Sequence, residues 1–296
     1  MENKYDVIII GSGIAGMTAA IYLKRGGLNP LIIEEGTPGG QLNKINIIEN
    51  YPGFLTTDGP NLAAKIYEQV ANLEIEYLYD KVIKTKLNGK EKKVITSNKE
   101  LTCDYLVIAT GRLSKKLFSD DEKYIGSGIS YCALCDGNLY KGKDVAVVGT
   151  GNSALEEVLY LADICKSVTI INRGDTFRGD EILVEESLAK ENVKCVYNSN
   201  VVEYNIENGK LVSVILDTKE ELKISGLFIS IGSEPSATIF DVEKDKGFII
   251  VNETCMTNIE NVYACGDVIK KTVYQLTTAA SEGTLVAYDI IRKNKK

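Results

Sequence analysis

The stretch YDVIIIGSGIAG, residues 5–16, decides the fold. YDVIII (5–10) is a short apolar run of the kind buried as a parallel strand. It passes straight into Gly11-Ser12-Gly13-Ile14-Ala15-Gly16, and MTAAIYLKRGG (17–27) continues as a helix that stops at glycine. In such a turn Gly11 permits the tight bend, Gly13 lets a pyrophosphate approach the backbone, and Gly16 lets helix and strand pack closely. The helix N-terminus adds amide donors and partial positive charge. A second strand, PLIIE (30–34), ends at Glu34, about 20 residues on, where a carboxylate accepts from the ribose hydroxyls of a bound dinucleotide.

The pattern recurs. KDVAVVGTGNSALEEVLYLADI (143–164) runs from strand through Gly149-Thr150-Gly151-Asn152-Ser153-Ala154 into a helix, and SVTII (167–171) is the next strand. Here the residue after the strand is Asn172, which is no carboxylate. One glycine turn is weak evidence; two, each in strand–turn–helix–strand context, imply two Rossmann-like units in an α/β chain. Between and after them lie YLVIATGR (105–112) and NVYACGDV (261–268), strands ending in Ala-Thr-Gly and Gly-Asp. These fit a first domain interrupted by the second, with crossings near Arg112–Lys116 and Asp241–Lys246. The expected division is 1–113 with 243–296 for the first domain and 114–242 for the inserted one.

The whole chain is consistent with this. It has 296 residues, 44% hydrophobic and 25% charged, enough for two domains. Its net charge of −7 argues against nucleic acid as a partner. No apolar run approaches the roughly 20 residues that span a bilayer, and the acidic start MENKYDV has no signal-peptide pattern, so a cytoplasmic location is expected. Seven cysteines, an odd number, do not suggest a secreted disulfide framework. There is no histidine, which removes the commonest general base and, with a single CxxC, makes a metal site unexpected. Of half a metal site, a structural pair and a redox couple, the last is the favoured reading of Cys132-Ala133-Leu134-Cys135. A position at a helix start would stabilise a thiolate there. Asp136 follows directly and is placed to move a proton.

Read together, GSGIAGMTAAIYL (11–23), PGGQL (38–42), IENYPGF (48–54), LVIATG (106–111), YCALCDG (131–137), VAVVGTGNSALEEVLYL (145–161), FRGDEIL (177–183) and ACGDV (264–268) resemble the low-molecular-weight thioredoxin reductases. The blocks cover nearly the whole chain in family order. The resemblance implies a homodimeric flavoprotein that reduces thioredoxin. It implies FAD held by Gly11, Ser12, Gly13, Ile14, Ala15, Gly16, Glu34, Glu35, Gly40, Gln41, Asn50, Ala109, Thr110, Gly111, Gly266, Asp267 and Gln275. It also implies that Cys135 faces the flavin, Cys132 attacks the thioredoxin disulfide, and Asp136 donates the proton.

The resemblance falters at the electron donor. NADPH-using members carry His-Arg-Arg at the end of the second unit's strand and an arginine four residues later. Here those positions are Asn172, Arg173, Gly174 and Arg178, and the usual Tyr-Arg-Gln is Val273-Tyr274-Gln275. The expected donor is therefore reduced ferredoxin, as in the clostridial type. Low-potential ferredoxins near −400 mV lie about 130 mV below thioredoxin, roughly 6 kcal/mol for two electrons. An acidic ferredoxin would need a basic patch, with candidates at Lys115–Lys116, Lys141–Lys143, Lys270–Lys271 and the tail RKNKK (292–296). The alternatives are NADPH, gripped by Arg173 and Arg178, and a dithiol oxidase that passes electrons to oxygen.

Overall fold

The computed structural model describes residues 4–45 and 48–295, apart from the side chains of Glu122 and Cys135. The chain divides into two compact units, Met1–Leu113 with Pro235–Lys296, and Ser114–Glu234.

In the first unit, Lys4–Ile10 lies between Pro30–Glu34 and Glu100–Ile108, parallel to both. Beyond them the sheet extends to Glu76–Tyr79 on one side and, antiparallel, to Lys92–Thr96 and Val82–Lys86 on the other. Val262–Ala264 returns from late in the chain to pair in parallel with residues 106–108. Burial of both faces of the strand explains why VIII (7–10) is apolar throughout. Val7 and Ile9 point into a core under the helices Ile14–Arg25 and Leu276–Asn294. Ile8 and Ile10 point into a second core with Phe240, Val242 and Ile249.

That second core corrects the expected return crossing. Residues 235–242 belong to the first unit, not the inserted one. The charges of 241–246 suggested a linker, but Ala237 and Phe240 are each 1% exposed and pack beneath the first unit's sheet. The crossing lies at Glu234–Pro235.

In the second unit, Asp144–Val148 pairs in parallel with Ser167–Ile171 and Gly226–Ile229, and these with Val193–Val196 and Ile129–Ser130 respectively. Helix Asn152–Ile164 packs on this sheet through Ala154, Val158 and Leu161. An antiparallel ribbon, Val201–Glu207, Lys210–Leu216 and Glu221–Lys223, covers part of the other face. Among the described residues, no helix is long and apolar enough to cross a membrane.

Candidate functional site

The first glycine turn is shaped by close approaches that only glycine permits. Gly11 has φ +101°, and a Cβ there would lie 2.4 Å from the Ala109 carbonyl oxygen. A Cβ on Gly16 would lie 2.1 Å from the Gly11 oxygen. At Gly13 the same construction meets nothing within 4 Å, so the backbone is open toward a ligand. Strand, turn and helix are thus locked together while the apex stays clear, the arrangement a pyrophosphate requires.

Glu34 closes the turn. Its Oε2 accepts from the Ser12 N–H (2.8 Å) and the Ser12 hydroxyl (2.9 Å), and its Oε1 accepts from Gly36 N–H (3.0 Å). Tyr77, which the sequence reading did not single out, donates its hydroxyl to Ser12 Oγ (2.8 Å). Burial pushes the Tyr77 phenol up, so it stays a donor. Glu35 pairs with Lys81 at 3.1 Å.

Of the other expected cofactor residues, Gly40, Ala109, Thr110 and Gly266 lie against the turn. Gly39 N–H donates to Ser12 O, bringing the PGGQL loop over it, and Gly40 packs beside Gly13. Gln41 Nε2 donates to Arg112 O (2.8 Å), just after Gly111, which has φ +64°. Thr110 Oγ1 donates to Ser236 O, and Asn50 Nδ2 to Gln275 Oε1 (3.4 Å). Gly266 approaches the Ala15 Cβ, and Ile14 and Ala15 are themselves buried in the core behind the turn. Open glycine apex, ribose-distance carboxylate and surrounding amides fit the diphosphate and adenosine of FAD.

Lys271 differs from its expected place in an exposed basic patch. Its side chain is 10% exposed and bridges Glu282 (3.0 Å) and Asp267 (3.4 Å), and Glu282 also accepts from Gly266 N–H (2.8 Å). Burial raises the Glu282 carboxyl although Lys271 opposes this. Two carboxylates within reach drew the lysine inward, a contact no sequence spacing announces. Lys270 pairs with Asp245, and Arg292 and Lys293 with Asp289. Lys143 donates to Leu139 O. Lys296 lies outside the described residues.

In the second unit, Cys132 is disulfide-bonded. Cys103, Cys165, Cys195, Cys255 and Cys265 are free thiols. The side chain of Cys135 lies outside the described residues. The helix that begins here, Ala133–Asp136, is a single turn followed by the 3-10 turn Gly137–Tyr140. The expected helix-dipole effect on a thiolate is correspondingly small, because a macrodipole needs several aligned turns. Asp136 Oδ2 accepts from the Ser130 hydroxyl (2.7 Å), another contact the sequence did not announce. Upstream, the buried Asp121 accepts from Tyr131 and Tyr204 hydroxyls (2.7 and 2.9 Å) and from the amides of Leu117 and Phe118 (2.8 and 3.1 Å). Tyr131, the residue before Cys132, is therefore anchored.

The second glycine turn is also well formed. Gly149 has φ +141° and a Cβ would meet Ser230 O at 2.1 Å, while Gly151 faces open space. Thr150 O accepts from the amides of Arg178 and Gly179, both 2.9 Å, and Asn152 exchanges two hydrogen bonds with Asp180. The loop carrying Arg178 is thus tied to the turn. Asn172 is buried and spends its carboxamide on Thr176 O and Gly174 N–H. Arg173 and Arg178 are exposed and make no ion pair among the described residues.

Comparison with known proteins follows the same lines. A model of the pyridine nucleotide-disulphide oxidoreductase family matches residues 5–283. A thioredoxin reductase of Bacillus subtilis (strain 168) is 40% identical, the match covering 98% of this chain and 94% of that one. The crystal structure of Lactococcus lactis thioredoxin reductase in its FR conformation superposes with a TM-score of 0.86 at 38% identity, covering 98% and 99% of the two chains. A ferredoxin-flavin thioredoxin reductase from Clostridium acetobutylicum is 30% identical with a TM-score of 0.57, covering 99% and 98%.

Proposed function

The chain belongs to the pyridine nucleotide-disulphide oxidoreductase family, and from that premise we propose that it is a thioredoxin reductase working through Cys132 and Cys135. FAD is its cofactor. The observation that carries the proposal is the pairing, in one chain, of an open FAD-type cradle with a disulfide at Cys132 beside a fixed carboxylate.

In the reaction proposed, Gly11, Gly13 and the helix after them hold the diphosphate, and Glu34 takes the ribose. FAD held there and reduced by the electron donor would supply the two electrons, with two protons, that open the disulfide to a dithiol. The Cys132 thiolate attacks one sulfur of the thioredoxin disulfide, and the S–S electron pair leaves on the other sulfur, which takes a proton from Asp136. Cys135 then displaces the mixed disulfide at Cys132. Thioredoxin leaves as a dithiol, and the enzyme disulfide is restored. The resemblance also supports a homodimer and a cytoplasmic location.

Two readings of the donor each have an observation behind them. Reduced ferredoxin is supported by Asn172 and Gly174: the carboxamide is spent inside its own loop and glycine offers no charge. A nicotinamide dinucleotide with a 2′-phosphate is supported by the open Gly151 apex, by Arg178 on a loop tied to that turn, and by the exposed Arg173. Arginine suits that group through bidentate charge-assisted bonds. The ion pairs at Lys270, Lys271, Arg292 and Lys293 also leave less unpaired positive charge for an acidic ferredoxin. The geometry favours the dinucleotide. Anaerobic mixing of the purified flavoprotein with thioredoxin and, in turn, NADPH, NADH or reduced ferredoxin tests both levels. Absence of thioredoxin thiols with every donor would overturn the function, while the effective donor decides between the readings.

A further inference from the structure

Ser130 is the second residue of the short strand Ile129–Ser130, pinned beside Phe228 in the second unit's sheet, and is 1% exposed. Its hydroxyl lies 2.7 Å from Asp136 Oδ2, 3.2 Å from Cys132 O and 3.1 Å from Cys132 N. A hydroxyl has one proton to give. The Asp136 oxygen is the nearer acceptor, at 2.7 Å against 3.2 Å, so the proton goes to Asp136. The lone pairs then accept the Cys132 N–H. A chain runs from that amide through the hydroxyl to the carboxylate, and each bond polarises the next. The backbone N–H of Asp136 donates in turn to Cys132 O (3.1 Å), so Asp136 is tied at both ends to the backbone of the redox cysteine.

We propose that Ser130 is a positioning residue for proton delivery at the dithiol, holding Asp136 where it serves the leaving sulfur. This rests on the reading of Cys132, Cys135 and Asp136 given above. When the carboxyl of Asp136 gives its proton to the departing thiolate, the carboxylate that remains gains the Ser130 O–H bond at full strength. The hydroxyl therefore stabilises the product of the proton transfer as well as its geometry. A role as a simple turn cap would account for the Cys132 N–H contact but leaves the short bond to Asp136 unexplained, because a cap needs only an acceptor. Tyr140 also faces Asp136, its phenol raised mainly by burial, and remains neutral through the working pH range.

The test is a double-mutant cycle on the FAD-loaded full chain, with thioredoxin thiols as the readout. Ser130→Ala should lower kcat about tenfold or more, the loss of one charge-assisted hydrogen bond, and leave KM for thioredoxin unchanged. Asp136→Asn lowers kcat by itself, and adding Ser130→Ala to it should lower kcat no further. An unchanged kcat in Ser130→Ala, or the same fractional loss with and without Asp136, would overturn the proposal. The melting temperature and flavin spectrum of each variant report folding. If Ser130→Ala melts early, Asp136→Asn/Ser130→Ala against Asp136→Asn alone still measures the coupling. Inactivity of the parent chain, by contrast, would overturn the functional reading and not the role of Ser130.

Discussion

Ser12 and Glu34 meet through a single oxygen: the amide and the hydroxyl of Ser12 both donate to Glu34 Oε2, at 2.8 and 2.9 Å. The carboxyl group is held in place by its own chain, preorganised for the ribose contact proposed above, and Tyr77 fixes the hydroxyl. A preorganised acceptor spends little of its binding energy on ordering.

Glu34→Ala should therefore weaken FAD binding by about 10- to 100-fold, since charged hydrogen bonds contribute roughly 1.5–3 kcal/mol each. The ratio of flavin to protein absorbance after gel filtration measures this. Tyr77→Phe should cost less, because it removes only the outer member of the chain. Full flavin retention in Glu34→Ala would remove Glu34 from the site.

Asp121→Ala should destabilise the protein by several kcal/mol, since each buried donor left without its acceptor costs roughly 1–3 kcal/mol. Two tyrosine hydroxyls and two amides would lose their acceptor together. The urea midpoint of the second unit's transition is the measurement. Tyr131 would also be released beside Cys132, so thioredoxin reduction should fall even at temperatures where the variant stays folded.

If the dinucleotide reading of the donor holds, Arg173→Ala and Arg178→Ala should each raise the Kd for NADPH about 10-fold or more, by loss of a phosphate contact. Reduction by NADH should change little. Rapid-mixing measurements of flavin bleaching distinguish these outcomes. Bleaching by reduced ferredoxin alone, with neither variant affected, would return the donor to the ferredoxin class.

Stability should decline on the alkaline side. Burial pushes the thiols of Cys103 and Cys255 each up to about 12. In the unfolded chain these thiols ionise near 8.5 to 9. Between about 9 and 12 the unfolded state therefore binds fewer protons, and each thiol lowers the unfolding free energy by up to about 1.4 kcal/mol per pH unit. Their stabilising contribution is complete below pH 8.5 and is lost as pH rises toward 12. Cys103→Ala should flatten the slope of the denaturation midpoint between pH 9 and 11, and an unchanged slope would contradict the assignment. In the folded protein at pH 8, Cys103 and Cys265 should resist iodoacetamide, both being fully buried.

The glycine turns were legible in the sequence because their chemistry is local: strand, bend and helix follow one another within a dozen residues. So were the Ala-Thr-Gly and Gly-Asp strand ends, which repeat a local pattern at a distance. Tyr77, Glu282 and Ser130 were not. Tyr77 and Glu282 act through contacts set by the tertiary fold, Ser130 through the bend of its own loop, and a lone tyrosine, glutamate or serine carries no spacing signal. Lys271 was misplaced for the related reason that sequence records charge but not burial. The return crossing moved because Ala237, Phe240 and Val242, just ahead of the charged 243–246, were worth more buried than as linker.

The order in which the chain is made gives the late strand Val262–Ala264 a further consequence. Its partner, residues 106–108, leaves the ribosome roughly 150 residues earlier, which at about 5–20 residues per second is a wait of about 8 to 30 seconds. During that interval the first unit lacks its seventh strand, its Gly-Asp end and its C-terminal helix, while the contiguous stretch 114–234 has everything it needs to fold. The insertion itself adds little closure entropy, which grows only with the logarithm of loop length. The inserted unit therefore matures first, and the cradle is completed last. Capture of the flavin is then expected to follow the emergence of the late strand and to seal the unit whose chain was begun first. A nascent-chain release experiment, with flavin fluorescence followed as residues beyond 268 emerge, should show binding only after the Gly266-Asp267 segment is free.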